Sequence, residues 1–345
     1  MSSIVRWITL TVVVLLTLLG CGAQPEHTVH SGNTMGTYYR ISLACKPPGS
    51  IDFEAELGSV NQEMSNYDPA STLSQLNRAP LGEWHTIEPA LHSVLHYAQG
   101  VHKTSEGAFD ITIAPVLSLW GFGPDARNLE AAPTAQALQQ AAALVAMSAL
   151  ELRPDPPAAR RMADITLDLS ALAKGHGVDR IAQLLDDARC EDYLIDIGGE
   201  VRARGSAERN RPWRIGVEVP DAERMGAIQR VVRLQDQAIA TSGDYRNFIE
   251  LPAEADSDPT RRWSHSIDPR TARPVAHGLA SVSVIADLAM QADAWATALT
   301  VLGPDQGLAL AQRQNMAALF VVRSEAGFEE RYTAAFQANL EQAPR

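Results

Sequence analysis

Between Tyr193 and Gly243 the chain reads as strand after strand. "YLIDI" and "EVRARG" flank Gly198-Gly199, and "WRIGVEVP" and "RVVRLQDQAIATSG" follow with no helical period between them. Parallel neighbours need a long crossover, usually a helix, whereas antiparallel neighbours need only a turn. Consecutive strands therefore constrain this region to a largely antiparallel sheet. Further strand-like stretches are "TMGTYYRISLAC" (34–45), "LASVSVIAD" (279–287) and "MAALFVV". Amphipathic or strongly helix-forming stretches cover residues 50–67, 88–104, 133–150 and 287–302, and "DITLDLSALAKGHGVDRIAQLLDD" (164–187) reads as strand, turn and helix. Strands and helices mix without regular alternation. The expected fold class is α+β, with largely antiparallel or mixed sheets flanked by helices, and not a doubly wound parallel sheet.

The 345 residues give ample core for one large domain or two moderate ones. A net charge of −12 argues against a nucleic-acid partner, because phosphate binding rests on an excess of Lys and Arg. A polyanionic small molecule needs a local offset to that field, and a bound cation is one way to supply it.

The chain opens "MSSIVRWITLTVVVLLTLLGC": one Arg, an apolar run from Trp7 to Leu19, then Gly20 and Cys21. A short apolar run closing on small residues is a secretory signal, and it is short for a membrane span. The Cys directly after Leu19-Gly20 resembles a bacterial lipobox. The expected organisation is a lipoprotein signal peptide at 1–20, a polar tether at 21–32, a main domain at 33–325 and a C-terminal segment at 326–345 that frays. Cys45 and Cys190 remain. They are free to pair in an oxidising compartment or to stay apart and buried, and the sequence leaves both open.

Five segments can carry chemistry. In "DLSALAKGHGVDR", Lys174-Gly175 at a helix start suits an anion, although the spacing is not that of a phosphate-binding P-loop and a surface Lys is the plain alternative. In "IDIGGE", Gly198-Gly199 reads as a hairpin turn or as a place where backbone approaches a ligand. "ATSGDYRNF" gathers Thr241, Ser242 and Gly243 with Asp244, Tyr245 and Arg246, which suits a ligand edge or an ordinary loop. "SHSIDPR" holds His265, a candidate general base and one of nine His. In "AMQADAWATALT", Asp293 and Thr297 lie four apart on one helical face among Ala residues. Two hard oxygens there suit Mg²⁺. The alternative is an Asp bonded to a backbone N–H and a Thr bonded back to its own helix.

The order of these motifs resembles the ApbE family, the FAD:protein FMN transferases of the bacterial periplasm. The matching stretches are "TMGTYYRI", "MSNYDPASTLSQLN", "GAFDITIAPV", "DLSALAKGHGVDRI", "YLIDIGGEVRARG", "IATSGDYRNF", "SHSIDPRTARPV" and "SVIADLAMQADAWATAL", spanning roughly residues 33–305. The resemblance implies an α+β, T-fold-like architecture with a cofactor cleft. It implies Mg²⁺-dependent transfer of FMN from FAD to a Thr hydroxyl on a partner, with release of AMP. Acceptors in the family are subunits of NADH:quinone oxidoreductase and Rnf-type redox complexes, with an Asp-x-x-Ser-Gly-Ala-Thr-like sequence that this chain lacks.

Carried over residue by residue, the resemblance places Met35, Tyr67, Ala108, Phe109, Asp110 and Asp168 against FAD, and Lys174 near its pyrophosphate. It gives Mg²⁺ the Ala171 carbonyl, Asp293 and Thr297, and it places His265 near the transfer site. It implies a periplasmic, lipid-anchored protein, with the inner membrane favoured. The chain departs from the family pattern at Ala272, where Gly is usual, at His176-Gly177, and at Met290, where some relatives carry a further Asp. Two other activities fit the same residues: a FAD pyrophosphatase that sends water to the same phosphorus, and a non-catalytic flavin-binding lipoprotein.

Overall fold

The computed structural model describes residues 28–341, except 47–48, 125, 128, 208–210, 225, 245–247 and 253–259. The expected signal peptide, the lipid-bearing Cys21, and Tyr245 and Arg246 of "ATSGDYRNF" lie outside the described residues. Among those described, no helix is long and apolar enough to cross a membrane.

The chain begins with β1 (Thr28–Thr34) and β2 (Thr37–Leu43). A helical region follows: α1 (Phe53–Met64), α2 (Thr72–Arg78), β3 (His85–Thr86), α3 (Pro89–Thr104), α4 (Ala114–Leu119) and α5 (Ala135–Ala142). The hairpin β4 (Leu150–Pro154) and β5 (Pro157–Arg161) closes it and leads into α6 (Ala173–Asp187). Next come β6 (Tyr193–Ile197), β7 (Glu200–Arg204), β8 (Trp213–Glu218), β9 (Ile228–Leu234) and β10 (Gln237–Gly243). After them run β11 (Phe248–Pro252), β12 (Thr260–Ser264), β13 (Ile267–Asp268), β14 (Arg273–Pro274) and β15 (Leu279–Ala286). The chain ends with α7 (Ala289–Arg313), β16 (Ala317–Ser324), β17 (Gly327–Tyr332) and α8 (Ala334–Gln337).

Eight strands form the main sheet in the order β1-β2-β6-β7-β10-β15-β16-β17. Every neighbouring pair in it is antiparallel. This is the α+β architecture expected from the consecutive strands. Alternate residues of each strand bury opposite faces. Tyr193, Ile195 and Ile197 pack on α6, and Val282 and Val284 pack on α7. On the other face Val201, Ile239, Leu319 and Val321 pack against the β8–β9 ribbon and Phe336 of α8.

Local chemistry sets several element ends. Asp52 caps α1 by accepting from Ala55 N at 2.9 Å, and Ser71 caps α2 by accepting from Ser74 N at 3.0 Å. The run through 287–313 is two helical pieces joined at Gly303, whose φ of 78° breaks the ladder before Pro304. Cys45 and Cys190 form a disulfide between the end of β2 and the start of β6, which settles the choice the sequence left open.

Two boundaries differ from expectation. Residues 28–32, read as tether, belong to β1, which pairs along its whole length with β2. Over its described residues, 326–341, the C-terminal segment does not fray: β17 pairs with β16, Phe336 is fully buried, and Leu340 bridges to Val232. The charge-rich "GFEERY" hid an edge strand, with Glu329 facing solvent and Glu330 bonded to Gln229 and Arg230 of β9.

Ala272 adopts φ 54°, the left-handed conformation a Gly would accept without strain. It is tolerated because its methyl is buried in a cluster with Val116 and Trp120, and its carbonyl accepts from Trp120 Nε1 at 2.9 Å. The strain of ~1 kcal/mol is offset by ~0.8 kcal/mol of methyl burial and by the entropy a Gly would add to the unfolded chain. Ala272→Gly is accordingly expected to leave the thermal midpoint within about 2 °C of the parent. A clear stabilisation would show that the methyl contributes nothing.

Candidate active site in the cleft between sheet and helices

A cavity of about 940 Å³ opens where the β6–β7 turn, the end of β10 and the starts of α6 and α7 meet the helical region. That size is ordinary for a small-molecule site. It gathers residues from segments far apart in sequence, Tyr67, Asp110, Asp168, Lys174, His265 and Asp293 among them.

The floor is built by two helices that cap each other. α6 begins at Leu172, which offers no side-chain cap, so its first N–H groups need acceptors from elsewhere. Gly175 N donates to Asp293 Oδ2 of α7 at 3.2 Å. In return Asp179 of α6 accepts from Ala289 N at 3.0 Å and Met290 N at 2.9 Å at the start of α7. Arg202 Nη1 of β7 holds the same Asp179 carboxylate at 2.7 Å. The helices approach closely because residue 175 has no side chain: a Cβ there would lie 2.4 Å from the Ala289 carbonyl oxygen and 2.7 Å from Met290 Cα. The Ala stripe of α7 gives the same clearance, with Ala289, Ala292, Ala294, Ala296 and Ala298 all buried.

Lys174 projects into this floor. Its ammonium lies 2.8 Å from Glu200 Oε1 and 4.0 Å from Asp293 Oδ2. Glu200 and Asp293 are 5% and 4% exposed, so three charges share one poorly solvated place. Burial works against the Lys174 charge, but Asp293 and Glu200 outweigh it and hold the ammonium above its ordinary value. Burial raises both carboxyls, against the pull of Lys174. Among the described residues, Glu200 Oε2 is buried with no hydrogen-bond partner. Because Glu200 takes the closer contact with Lys174, Asp293 is left with one N–H and a distant ammonium.

The expected residues fall as follows. Thr297 lines the cleft with Asp293, and its hydroxyl bonds Ser242 Oγ of β10 at 3.2 Å. Asp293 accepts a backbone N–H, as the plainer sequence reading has it, and also faces the cavity. Ala171 lines the same cavity on the turn before α6. Asp168 closes that turn, accepting from Ser170 N at 2.8 Å and from Asn66 Nδ2 at 2.5 Å. Tyr67 stands at the mouth, 67% exposed. Ala108 and Phe109 line the wall, with the Phe109 ring in the core beside Leu91 and Ile165.

Asp110 lines the wall as well, and both its oxygens are engaged there. Oδ1 accepts from Thr112 N at 2.7 Å and Thr112 Oγ1 at 2.6 Å, and Oδ2 lies 3.3 Å from His102 Nδ1. That contact raises the His102 pKa, with burial opposing and the Asp110 charge adding to it. A raised folded pKa stabilises the fold fully below the unfolded value of about 6.5, and the stabilisation is lost as pH rises through the folded value. The stability gap between the parent and His102→Gln is therefore expected to be wider at about pH 5.5 than at about pH 8.5. Equal gaps in denaturant melts would contradict the pairing.

His265 lines the opposite side of the cleft, with its ring edge-on to Phe122 at 6.4 Å. Met35 is the exception among the expected residues, since it is not part of the cleft lining. It sits at φ 48° in the β1–β2 turn, with its methyl against Gly177 of α6. His176, Gly177 and Met290 are likewise absent from the lining, and Met290 packs in the core. The departures from the family pattern at these positions therefore change the packing behind the floor and leave the floor itself alone. Glu200 and Asp179 were not singled out from sequence. The signal was present as a carboxylate directly after Gly198-Gly199 and as another inside the apolar face of α6.

Among the described residues no three His, Cys, Asp or Glu side chains cluster as a metal cage. Mg²⁺ sites need none, because one or two carboxylates, waters and substrate phosphates suffice. A buried carboxylate and a hydroxyl, with the main chain of Ala171 lining the same cavity, are a hard-oxygen set that fits that ion.

Known proteins are similar to this chain in sequence and fold. A "FAD:protein FMN transferase" of Haemophilus influenzae is 35% identical over 341 residues, covering 95% of this chain and 96% of its own length. One of Vibrio cholerae is also 35% identical, covering 94% and 96%. The solved "Flavin Transferase ApbE from Vibrio cholerae" superposes with a TM-score of 0.81 at 34% identity, over 91% of this chain and 99% of that one. The apo flavinyl transferase ApbE of Pseudomonas stutzeri does so with a TM-score of 0.82 at 34% identity, over 93% and 99%. The ApbE family profile matches residues 35–320, and the chain belongs to the ApbE family.

Proposed function

We propose that the chain transfers FMN from FAD to a threonine hydroxyl of a partner protein, with Mg²⁺ bound, and releases AMP. The observation that carries this reading is the meeting of Lys174 with Asp293 and Thr297 in one cleft, from two helices whose contact residues Gly175 and Asp293 are 118 positions apart. Binding alone has no need of a half-buried lysine between two buried carboxylates. The names of the relatives point to the same reaction.

In that reaction the threonine oxygen bonds to the riboflavin-side phosphorus. The bond from that phosphorus to the bridging oxygen breaks, and AMP departs with the electron pair. Such a step needs positioning and charge neutralisation more than covalent chemistry. The Lys174 ammonium, kept charged by its two carboxylates, faces the pyrophosphate. Glu200 holds it in place at 2.8 Å. His265 is the candidate to take the hydroxyl proton. Asp293, Thr297 and the Ala171 carbonyl would hold Mg²⁺, which supplies neutralisation of the pyrophosphate charge when bound. This local positive charge answers how a chain of net charge −12 accepts a dianion.

The acceptors this reading calls for are subunits of NADH:quinone oxidoreductase or Rnf-type complexes on the periplasmic side of the membrane. The leader ending at Cys21 and the Cys45–Cys190 disulfide support a lipid-anchored, oxidising location. The test is incubation of a soluble form with FAD, Mg²⁺ and an acceptor domain. A fluorescent acceptor band with released AMP supports transfer. AMP without a band points to hydrolysis, and neither product points to binding alone.

A further inference from the structure

We infer that the acceptor polypeptide docks as an added strand on the edge of β8 that faces away from β9, an inference that rests on the transferase reading above. Arg214, Ile215, Gly216, Val217 and Glu218 are consecutive, and all of them border the cleft that holds Lys174 and Asp293. Side chains of a strand alternate between faces, so an unbroken run bordering one cavity means that the strand presents its edge to it.

Which backbone groups that edge offers follows from the other side of the ribbon. Arg233 N of β9 donates to Asn339 O at 2.8 Å, and Val231 O accepts from Glu341 N at 3.0 Å. Val231 and Arg233 therefore turn their backbone groups outward, to the C-terminal segment, and Val232 turns its groups toward β8. Val232 pairs with Ile215. By alternation, Ile215 and Val217 bond β9, and the N–H and C=O of Arg214 and Gly216 point away from it. Among the described residues neither Arg214 nor Gly216 has a backbone partner on that side.

Open edges are usually blocked by charge, bulges or covering loops. Here the middle of the edge is Gly216, exposed and without a side chain. The Ile228 side chain of β9 fills the place a Cβ would take, with its Cδ1 2.4 Å from it, so what Gly216 offers is its exposed backbone along the edge. The occupant must be a peptide, since the proposed second substrate is a protein and its hydroxyl has to reach the cleft. Strand addition would hold it mainly through main-chain hydrogen bonds, with few demands on sequence. The ribbon would then act as a rail, laying an extended acceptor segment across the cleft mouth from the Lys174 floor.

The direct test is amide exchange on the full protein loaded with FAD and Mg²⁺. The probe is an acceptor domain bearing an Asp-x-x-Ser-Gly-Ala-Thr-like segment. Exchange at Arg214 and Gly216 is expected to slow by about 10-fold on adding the acceptor, and not on adding FAD alone. Unchanged exchange while the acceptor becomes flavinylated overturns the docking edge. Slowed exchange with no flavinylation supports the edge and overturns the transferase reading. Gly216→Pro removes the outward N–H and leaves the Ile215 and Val217 bonds to β9, while its Cβ pushes aside the flexible end of the Ile228 side chain, whose Cδ1 lies 2.4 Å from that position. It is expected to lower kcat/KM for the acceptor by at least about 10-fold, a larger loss than any change in FAD affinity measured on the same variant. Parent-like kcat/KM in a folded variant would overturn the proposal.

Discussion

Asp293→Ala is expected to lower flavin transfer by about 10³-fold while the protein stays folded. The size follows from removing one preorganised charge contact at a reacting phosphate, a loss of about 4 kcal/mol in transition-state stabilisation. The fold survives because Lys174 keeps its 2.8 Å partner Glu200, so no buried charge is stranded. What is lost is the cap on Gly175 N, about 1 kcal/mol. Thermal melts separate the two effects. Mg²⁺ should raise the midpoint of the parent and leave that of Asp293→Ala unmoved. Full activity in this variant would remove Asp293 from the mechanism. An Mg²⁺ shift as large as the parent's would remove it from the metal site.

Gly175→Ala is expected to damage both the fold and the site. The added methyl would sit 2.4 Å from Ala289 O and 2.7 Å from Met290 Cα, and backbone cannot swing aside as a side chain can. Overpacking of this kind costs about 3 kcal/mol, a fall in midpoint of roughly 4 °C for a chain of this size. Pushing α7 away also moves Asp293, and a displacement of ~1 Å at a reacting centre costs about 10²-fold in rate. Gly177→Ala is the control. There the new methyl meets only the Met35 Cε at 2.7 Å, the far end of a flexible side chain. Helix propensity gains about 1 kcal/mol in exchange, so little net change is expected. Equal behaviour of the two variants would contradict the close crossing at residue 175.

The consecutive strands from Tyr193 to Gly243 made the antiparallel sheet legible, because local alternation and the lack of a crossover element both act within the sequence. The Ala stripe and the Asp293–Thr297 spacing made one floor helix legible for the same reason. Its partners were not. Glu200 reads as a turn residue until β7 carries it beside Lys174, and Asp179 reads as one carboxylate on an ordinary helix until it caps α7. Both roles arise from contacts between separate elements, Asp179 with the start of α7 more than a hundred residues away and Glu200 with Lys174 across α6 and β6, where periodicity carries no signal. Met35 shows the converse: its motif suggested the cleft, but a left-handed turn sends its side chain behind α6. The charged "GFEERY" failed as a strand signal because an edge strand needs no apolar alternation on its solvent face.

The most direct test of the account is the mass of an acceptor domain after incubation with FAD, Mg²⁺ and this protein. The account requires a gain equal to FMN less one water, located on a threonine, with one AMP released for each acceptor modified. Release of AMP with the acceptor mass unchanged would contradict it.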